Sequence, residues 1–112
     1  MSQITTHILD TSIGKPASGV EVKLYECSQA SEHLIGQGTT DQDGRVGQLL
    51  DSRTLPEGQY KLHFETAAYF KRQEVQSFYP FVNIVFTVSG DGQHYHVPLL
   101  LNPFGYSTYR GS

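Results

Sequence analysis

Short runs of alternating apolar and polar residues, separated by glycine and proline turns, constrain this chain more than any other feature. Val20, Val22 and Leu24 alternate with polar neighbours, and a second such run covers residues 60–65. Because successive side chains of a β-strand point to opposite faces, a period of two predicts half-buried strands. Further strands are predicted at residues 4–10, 34–40, 81–88, 94–101 and 106–109. So many short strands predict an all-β sandwich.

The breaks between these strands carry signals of their own. Turns are predicted at residues 16–19, 41–44 and 56–59, with a hairpin turn at 89–92. Gly44 is suited to a positive φ at the end of its turn. Residues 66–73 are the one segment predicted to be helical, with Thr66 as its cap. Pro98 has no N–H, so it predicts a sheet edge or a bulge within its strand.

Length, charge and cysteine content narrow the class of protein. The chain has 112 residues, which predicts one domain over residues 1–112 whose large exposed surface would favour oligomerisation. The net charge of −3 offers no basic surface for nucleic acid. Cys27 is the single cysteine, so an intrachain disulfide is impossible and no oxidising compartment is required. Neither a secretory signal nor an apolar run of about 20 residues is found, so we expect a cytoplasmic protein that does not enter a membrane.

The strand predicted at residues 94–101 is the most informative for function. Its odd positions are apolar and suit a core face, whereas its even positions include His94 and His96. The spacing alone favours two exposed strand histidines. Two histidines at i and i+2 can also share a metal ion, which needs a third ligand such as His7 or His33. A third interpretation is acid–base catalysis, since histidine titrates near neutral pH.

Three other features allow both a structural and a functional interpretation. Arg45 follows a turn, where a solvated charge is common, but its planar guanidinium also suits carboxylates and conjugated oxyanions. Cys27 is better explained as a small, half-buried residue than as a nucleophile. Tyr109 and Arg110, close to the last residue, indicate a terminus that docks onto the fold rather than fraying.

Three separated motifs resemble those of the 5-hydroxyisourate hydrolases, which are also called transthyretin-related proteins. The motifs are ITTHILDTSIGKPASGVEV at residues 4–22, TTDQDGRVGQLL at 39–50 and HYHVPLLLNPFGYSTYRGS at 94–112. The final four residues, YRGS, distinguish that family from transthyretin itself. Asn102 departs from the pattern, in which serine is common before the proline, but it lies outside the expected catalytic set.

The resemblance implies a fold, an assembly and a reaction. The fold is a transthyretin-like β-sandwich of two four-stranded antiparallel sheets with one short helix. The assembly is a homotetramer, a dimer of dimers with its active sites in a channel between the dimers. The reaction hydrolyses a ring amide of 5-hydroxyisourate without metal or cofactor. Two rival classes are a transthyretin-type carrier, which would need a channel for an apolar ligand, and a metal site formed by His94, His96 and His7.

The resemblance also assigns roles to individual residues. The catalytic set falls on His7, Arg45, His96 and Ser112, the last acting through its hydroxyl or a terminal carboxylate. Substrate binding falls on His7, Arg45, Tyr109 and Arg110. Neither the motifs nor the spacing decides which histidine is the base, which is the acid, or whether His94 contributes.

Overall fold

Two four-stranded sheets pack face to face in the computed structural model, which describes residues 2–112. The elements in chain order are β1 (Ile4–Asp10), β2 (Lys15–Pro16), β3 (Glu21–Ser28), β4 (Ser31–Thr39), β5 (Gly58–Phe64), α1 (Thr66–Arg72), β6 (Val82–Val88), β7 (Tyr95–Asn102) and β8 (Gly105–Thr108). The first sheet has the order β2-β1-β7-β8 and the second β4-β3-β5-β6. The prediction of two four-stranded sheets with one short helix is therefore confirmed. The short strand β2 falls where only a turn was predicted.

One strand pair departs from the antiparallel pattern. β1 and β7 run parallel, whereas every other pair in the two sheets is antiparallel. A parallel pair needs a long crossover connection, and here the whole second sheet lies between the two strands in the sequence. The consequence for the molecule is that its first and last segments are direct neighbours.

The core lies between the sheets and follows the alternation in the sequence. β1 alternates between buried and half-buried residues along its full length. On β7 the odd positions are buried as predicted, namely Tyr95, Val97, Leu99 and Leu101. They pack with the inward residues of the second sheet, including Leu24, Tyr60, Leu62 and Phe64, in one apolar cluster. The even positions of β7 therefore face outward, on the opposite side of the first sheet.

The helix is confirmed, but its predicted cap is wrong. Glu65 occupies the cap position and makes no side-chain capping bond. Thr66 is instead the first helical residue, and its side chain is turned into the core. Its hydroxyl has no hydrogen-bond partner among the described residues. No helix within residues 2–112 is long and apolar enough to cross a membrane.

Two predictions about connections are also corrected. Residues 89–92 do not form a hairpin, because β6 pairs with β5 while β7 joins the other sheet. This segment crosses between the sheets because β6 and β7 pack on opposite sides of the core, which the local turn residues do not show. Pro98 does not lie at a sheet edge either, because β7 is a central strand flanked by β1 and β8.

Candidate active site

The parallel pairing of β1 and β7 brings the histidine-bearing faces of both strands together. Thr5 lies opposite His96, and His7 lies opposite Pro98. Residues directly opposite in neighbouring strands project from the same face of the sheet. The first and third sequence motifs therefore meet at the centre of the outward face of the first sheet.

Thr5 bonds to His96 on β7 and also to His94, the residue just before β7. Its Oγ1 lies 2.9 Å from Nε2 of His94 and 2.9 Å from Nδ1 of His96. The two imidazole rings are nearly parallel, at 14°, with their centroids 6.5 Å apart. His94 is exposed whereas His96 is half-buried, so the three side chains form a short chain of hydrogen bonds from solvent to the inner histidine.

Arg45 reaches this face through the turn at residues 41–44. The Gly44 N–H donates to the Asp41 carbonyl at 3.0 Å, and Gly44 has a φ of 76°, which confirms the prediction made for it. The Ile8 N–H then donates to the Gly44 carbonyl at 2.9 Å. A side chain at Gly44 would put its Cβ 2.4 Å from the Ile8 carbonyl oxygen, which is closer than real contacts allow. Glycine thus lets the loop lie against β1, where Arg45 pairs with His7.

The terminal residues are held on the opposite side of β7. β8 pairs with β7 up to Thr108, and the ladder then lapses beside Pro98, which has no N–H to donate on that side. Contact resumes where the Gly111 N–H donates to the His96 carbonyl at 2.8 Å. A Cβ at Gly111 would lie 2.5 Å from Cδ2 of His96. Glycine therefore lets the terminal segment pass directly over the His96 ring.

These elements enclose a polar pocket of about 370 Å³. Its lining residues are Thr5, Thr6, Arg45, Val46, His94, His96 and Ser112. The pocket therefore unites three of the four residues predicted to be catalytic. The fourth, His7, does not line it but adjoins it, between Arg45 and Pro98.

Burial and nearby positive charge favour the neutral form of His96 by lowering its pKa. Burial is the largest cause that lowers the pKa of His96 below its ordinary value, followed by the charges of Arg45, His94 and His7. Desolvation and cationic neighbours both disfavour the charged imidazolium. A neutral imidazole beside a guanidinium can accept a proton while the guanidinium holds an anion.

Tyr109 and Arg110 are not brought into this pocket. The Arg110 guanidinium lies over the Tyr95 ring, 4.5 Å from its centroid, and it also bonds to the side-chain oxygen of Gln93. Tyr109 and Arg110 line a second groove of about 260 Å³, which is mostly apolar and lies between β6 and the end of the first sheet. For Arg110 the reason is the alternation, because this residue falls on the Tyr95 side of the strand.

The other candidates of the sequence lie elsewhere. His33 pairs with Glu26 in the second sheet, far from the β1–β7 face in the topology. In the part of the chain that the structure describes, no three His, Cys, Asp or Glu side chains gather so as to hold a metal ion. Burial is the main cause that raises the pKa of the half-buried Cys27 thiol, which is the opposite of what a nucleophile needs.

Thr5 is the site residue that sequence reasoning missed. Hydroxyls are frequent in strands, and the residue type alone does not mark this one. A signal did exist, since Thr5 stands two residues before His7 and therefore on the same strand face. Its two bonds depend on the β1–β7 register, which the sequence does not show.

Solved structures place this fold in a known class. The 5-hydroxyisourate hydrolase of Klebsiella pneumoniae superimposes with a TM-score of 0.84 at 39% identity, covering 97% of this chain and 98% of that one. Sea bream transthyretin, solved in complex with thyroxine, superimposes with a TM-score of 0.91 at 32% identity, covering 97% and 94%. The fold is thus a transthyretin-like β-sandwich, as predicted.

Sequence comparison specifies the family. The chain is 44% identical over 113 residues to 5-hydroxyisourate hydrolase of Mus musculus, covering 99% of this chain and 96% of that one. It is 45% identical over 116 residues to the same enzyme of Halalkalibacterium halodurans, covering 98% of each. The family model described as HIUase/Transthyretin family matches residues 4–111. The chain belongs to the HIUase/Transthyretin family, and the resemblance predicted from its three motifs is confirmed.

Proposed function

We propose that this protein is a hydrolase that opens the oxidised ring of 5-hydroxyisourate in urate catabolism. The observation that carries the proposal is a half-buried imidazole, His96, in one polar pocket with Arg45. Relatives that match almost the full chain are named 5-hydroxyisourate hydrolases. The polarity of this pocket favours an oxygen-rich, anionic ligand over the apolar ligand that a carrier of transthyretin type would need.

The chemistry follows from the pocket's residues. Nδ1 of His96 is bonded to Thr5, so Nε2 is the nitrogen that can reach a water molecule in the pocket. His96 takes a proton from this water as its oxygen bonds to the ring carbonyl carbon. The carbon–nitrogen bond of the ring amide then breaks, and the nitrogen receives a proton. The product is 2-oxo-4-hydroxy-4-carboxy-5-ureidoimidazoline, which differs from the substrate by one water molecule.

The remaining residues supply charge and position. The Arg45 guanidinium holds the anionic ring and stabilises negative charge on the carbonyl oxygen. His7 adjoins Arg45 and shares the proton transfers with His96. The hydroxyl of Ser112, which also lines the pocket, positions the attacking water. No step requires a metal ion or a cofactor.

We further propose that the enzyme is a homotetramer. Each sheet has two edge strands, and the edges β8 of the first sheet and β6 of the second border the same groove. Exposed edges readily pair with another chain. Val85 and Tyr109 are 60% and 58% exposed beside the groove between these edges, and a second copy would cover them. Symmetric association of this kind also builds a channel shared by several copies.

The activity is tested by mixing the pure protein with freshly made 5-hydroxyisourate. We expect the ultraviolet absorbance of the substrate to decay much faster than in a blank without protein. A decay equal to that of the blank, in a correctly folded preparation, would contradict the proposed activity.

A further inference from the structure

The bonds around Thr5 restrict where the protons of both histidines can be. A threonine hydroxyl has one hydrogen to donate and lone pairs with which to accept. Its oxygen lies 2.9 Å from Nε2 of His94 and 2.9 Å from Nδ1 of His96. Because Thr5 has a single hydrogen, it can donate to at most one of the two ring nitrogens, and the other must donate to Thr5.

The two arrangements in which the Thr5 hydrogen takes part have opposite consequences for His96. If Thr5 donates to His96, the neutral His96 ring carries its proton on Nε2 and shows an N–H to the pocket. If Thr5 donates to His94, His96 donates from Nδ1 and shows a bare Nε2 lone pair to the pocket. Only the second arrangement makes His96 ready to act as a base.

The charges around the pocket distinguish these arrangements. Arg45 lines the same pocket as His96, and a cation there favours a lone pair directed toward it over an N–H. His94 is exposed at the outer end of the chain of bonds, so its second nitrogen can exchange a proton with solvent. We propose that Thr5 is a positioning residue whose hydroxyl donates to His94 and accepts from His96, which fixes His96 as the tautomer with a bare Nε2.

This arrangement also gives the accepted proton a route outward. When Nε2 of His96 takes a proton, Nδ1 can pass its own proton to the Thr5 oxygen as the hydroxyl hydrogen moves to Nε2 of His94. His96 is then neutral with its proton on Nε2, and His94 carries the positive charge near solvent. The reverse transfer through Thr5 restores the Nδ1 proton as Nε2 of His96 gives its proton to the leaving nitrogen. The catalytic value of this route rests on the proposed function, whereas the tautomer itself does not.

The tautomer can be read directly in the free protein by ¹⁵N–¹H correlation spectra of the histidine rings. The measurement is made at about pH 8, above the ordinary histidine pKa, with the His96 signals identified by their loss in a His96→Gln variant. We expect the wild-type protein to carry the His96 proton on Nδ1. Thr5→Val removes the hydroxyl at nearly constant shape, and the proton should move to Nε2. Thr5→Ser, which keeps a hydroxyl, should restore the wild-type pattern.

His94→Ala supplies a second variant that does not change Thr5. Without its acceptor at His94, the Thr5 hydroxyl can rotate and donate to His96, so the proton should again move to Nε2. A wild-type His96 with its proton on Nε2, or a tautomer that stays the same in both Thr5→Val and His94→Ala, would overturn the proposal.

Turnover of 5-hydroxyisourate gives an independent measurement. We expect Thr5→Val to lower kcat about 10-fold while KM stays within about twofold, since the hydroxyl acts through His96 and not on bound substrate. Thr5→Ser should recover most of the loss. If the tautomer shifts as expected but no variant, wild type included, turns over the substrate, the proposed function fails while the role of Thr5 in setting the tautomer stands. An unchanged kcat in an active Thr5→Val enzyme would overturn the catalytic part.

Discussion

At the scale of single residues, His94 and His96 are chemically alike but differ in burial. His96 is half-buried beside Arg45, whereas His94 is exposed, lines the same pocket and bonds to Thr5. Two histidines one pleat apart on the same strand face therefore have unequal roles. The burial of the ring, rather than its place in the motif, determines which one can act as the base.

We predict that His96→Ala slows hydrolysis by roughly 10²-fold or more, the usual scale for lost acid–base help. His94→Ala should slow hydrolysis much less, by about tenfold, because it removes only the outer partner of Thr5. Steady-state kinetics on both variants test this, with circular dichroism as the control for folding. Equal losses in the two variants would point to a joint role for the pair, such as a shared ligand.

The pH dependence follows from the lowered pKa of His96. A base must be neutral to act, and burial with the Arg45 charge disfavours the protonated ring. Activity should therefore persist below the ordinary histidine pKa of about 6.5 and fall only as the pH drops through the lowered value. In Arg45→Gln the acid limb of the remaining activity should move to higher pH, because removing the cation lets the pKa of His96 rise while the larger effect of burial remains. An acid limb that does not move in this variant would argue against Arg45 as a cause.

At the scale of elements, the terminal segment docks onto β7 through a single glycine. The Gly111 N–H bonds to the His96 carbonyl at 2.8 Å, and no Cβ fits at this position without a shift of the His96 ring. Pro98 interrupts the ladder just before this contact. The segment that carries Ser112 is therefore held by a bond to β7 rather than by a continuous β8.

We predict that Gly111→Ala lowers kcat about tenfold or more with little change in the thermal midpoint, because it displaces Ser112 and the His96 ring but buries no new surface. Gly105→Ala is the matched control in the same terminal segment. A Cβ there meets only ordinary contacts with Asn102, the nearest at 3.6 Å. A drop in stability for Gly111→Ala with full activity per folded protein would contradict the positioning role of this segment.

At the scale of the whole molecule, the site joins segments from three parts of the chain. β1 supplies Thr5 and His7, the turn after β4 supplies Arg45, and β7 with the terminal segment supplies the rest. The parallel β1–β7 pair brings the two ends together. The site is therefore assembled by the sheet order and cannot form in a fragment of the fold.

We predict a tetramer in sedimentation velocity experiments on dilute protein, because the open edges of β6 and β8 and the exposed Val85 and Tyr109 favour burial against further copies. Val85→Glu, on the outer side of β6, should weaken assembly by placing a charge in the buried interface. Glu32→Gln, on the distant edge strand β4, is the control and should leave the assembly unchanged. A stable and fully active monomer would refute the tetramer.

The sequence by itself determined the local structure of this protein. The period-two alternation predicted seven of the eight strands near their observed positions, the core face of β7 and the single helix, because strand alternation is a local property of the backbone. It also singled out His7, Arg45, His96 and Ser112, through motifs in which these residues stand at fixed places.

The order and pairing of the strands depend on contacts between distant parts of the chain. The sheet order made β7 central, so Pro98 is not at an edge and residues 89–92 cross between sheets instead of forming a hairpin. The parallel register placed the Thr5 hydroxyl between two histidines about 90 positions away in the chain. Long-range pairing of this kind depends on the packing of all eight strands together. It therefore cannot be read from any single segment of the sequence.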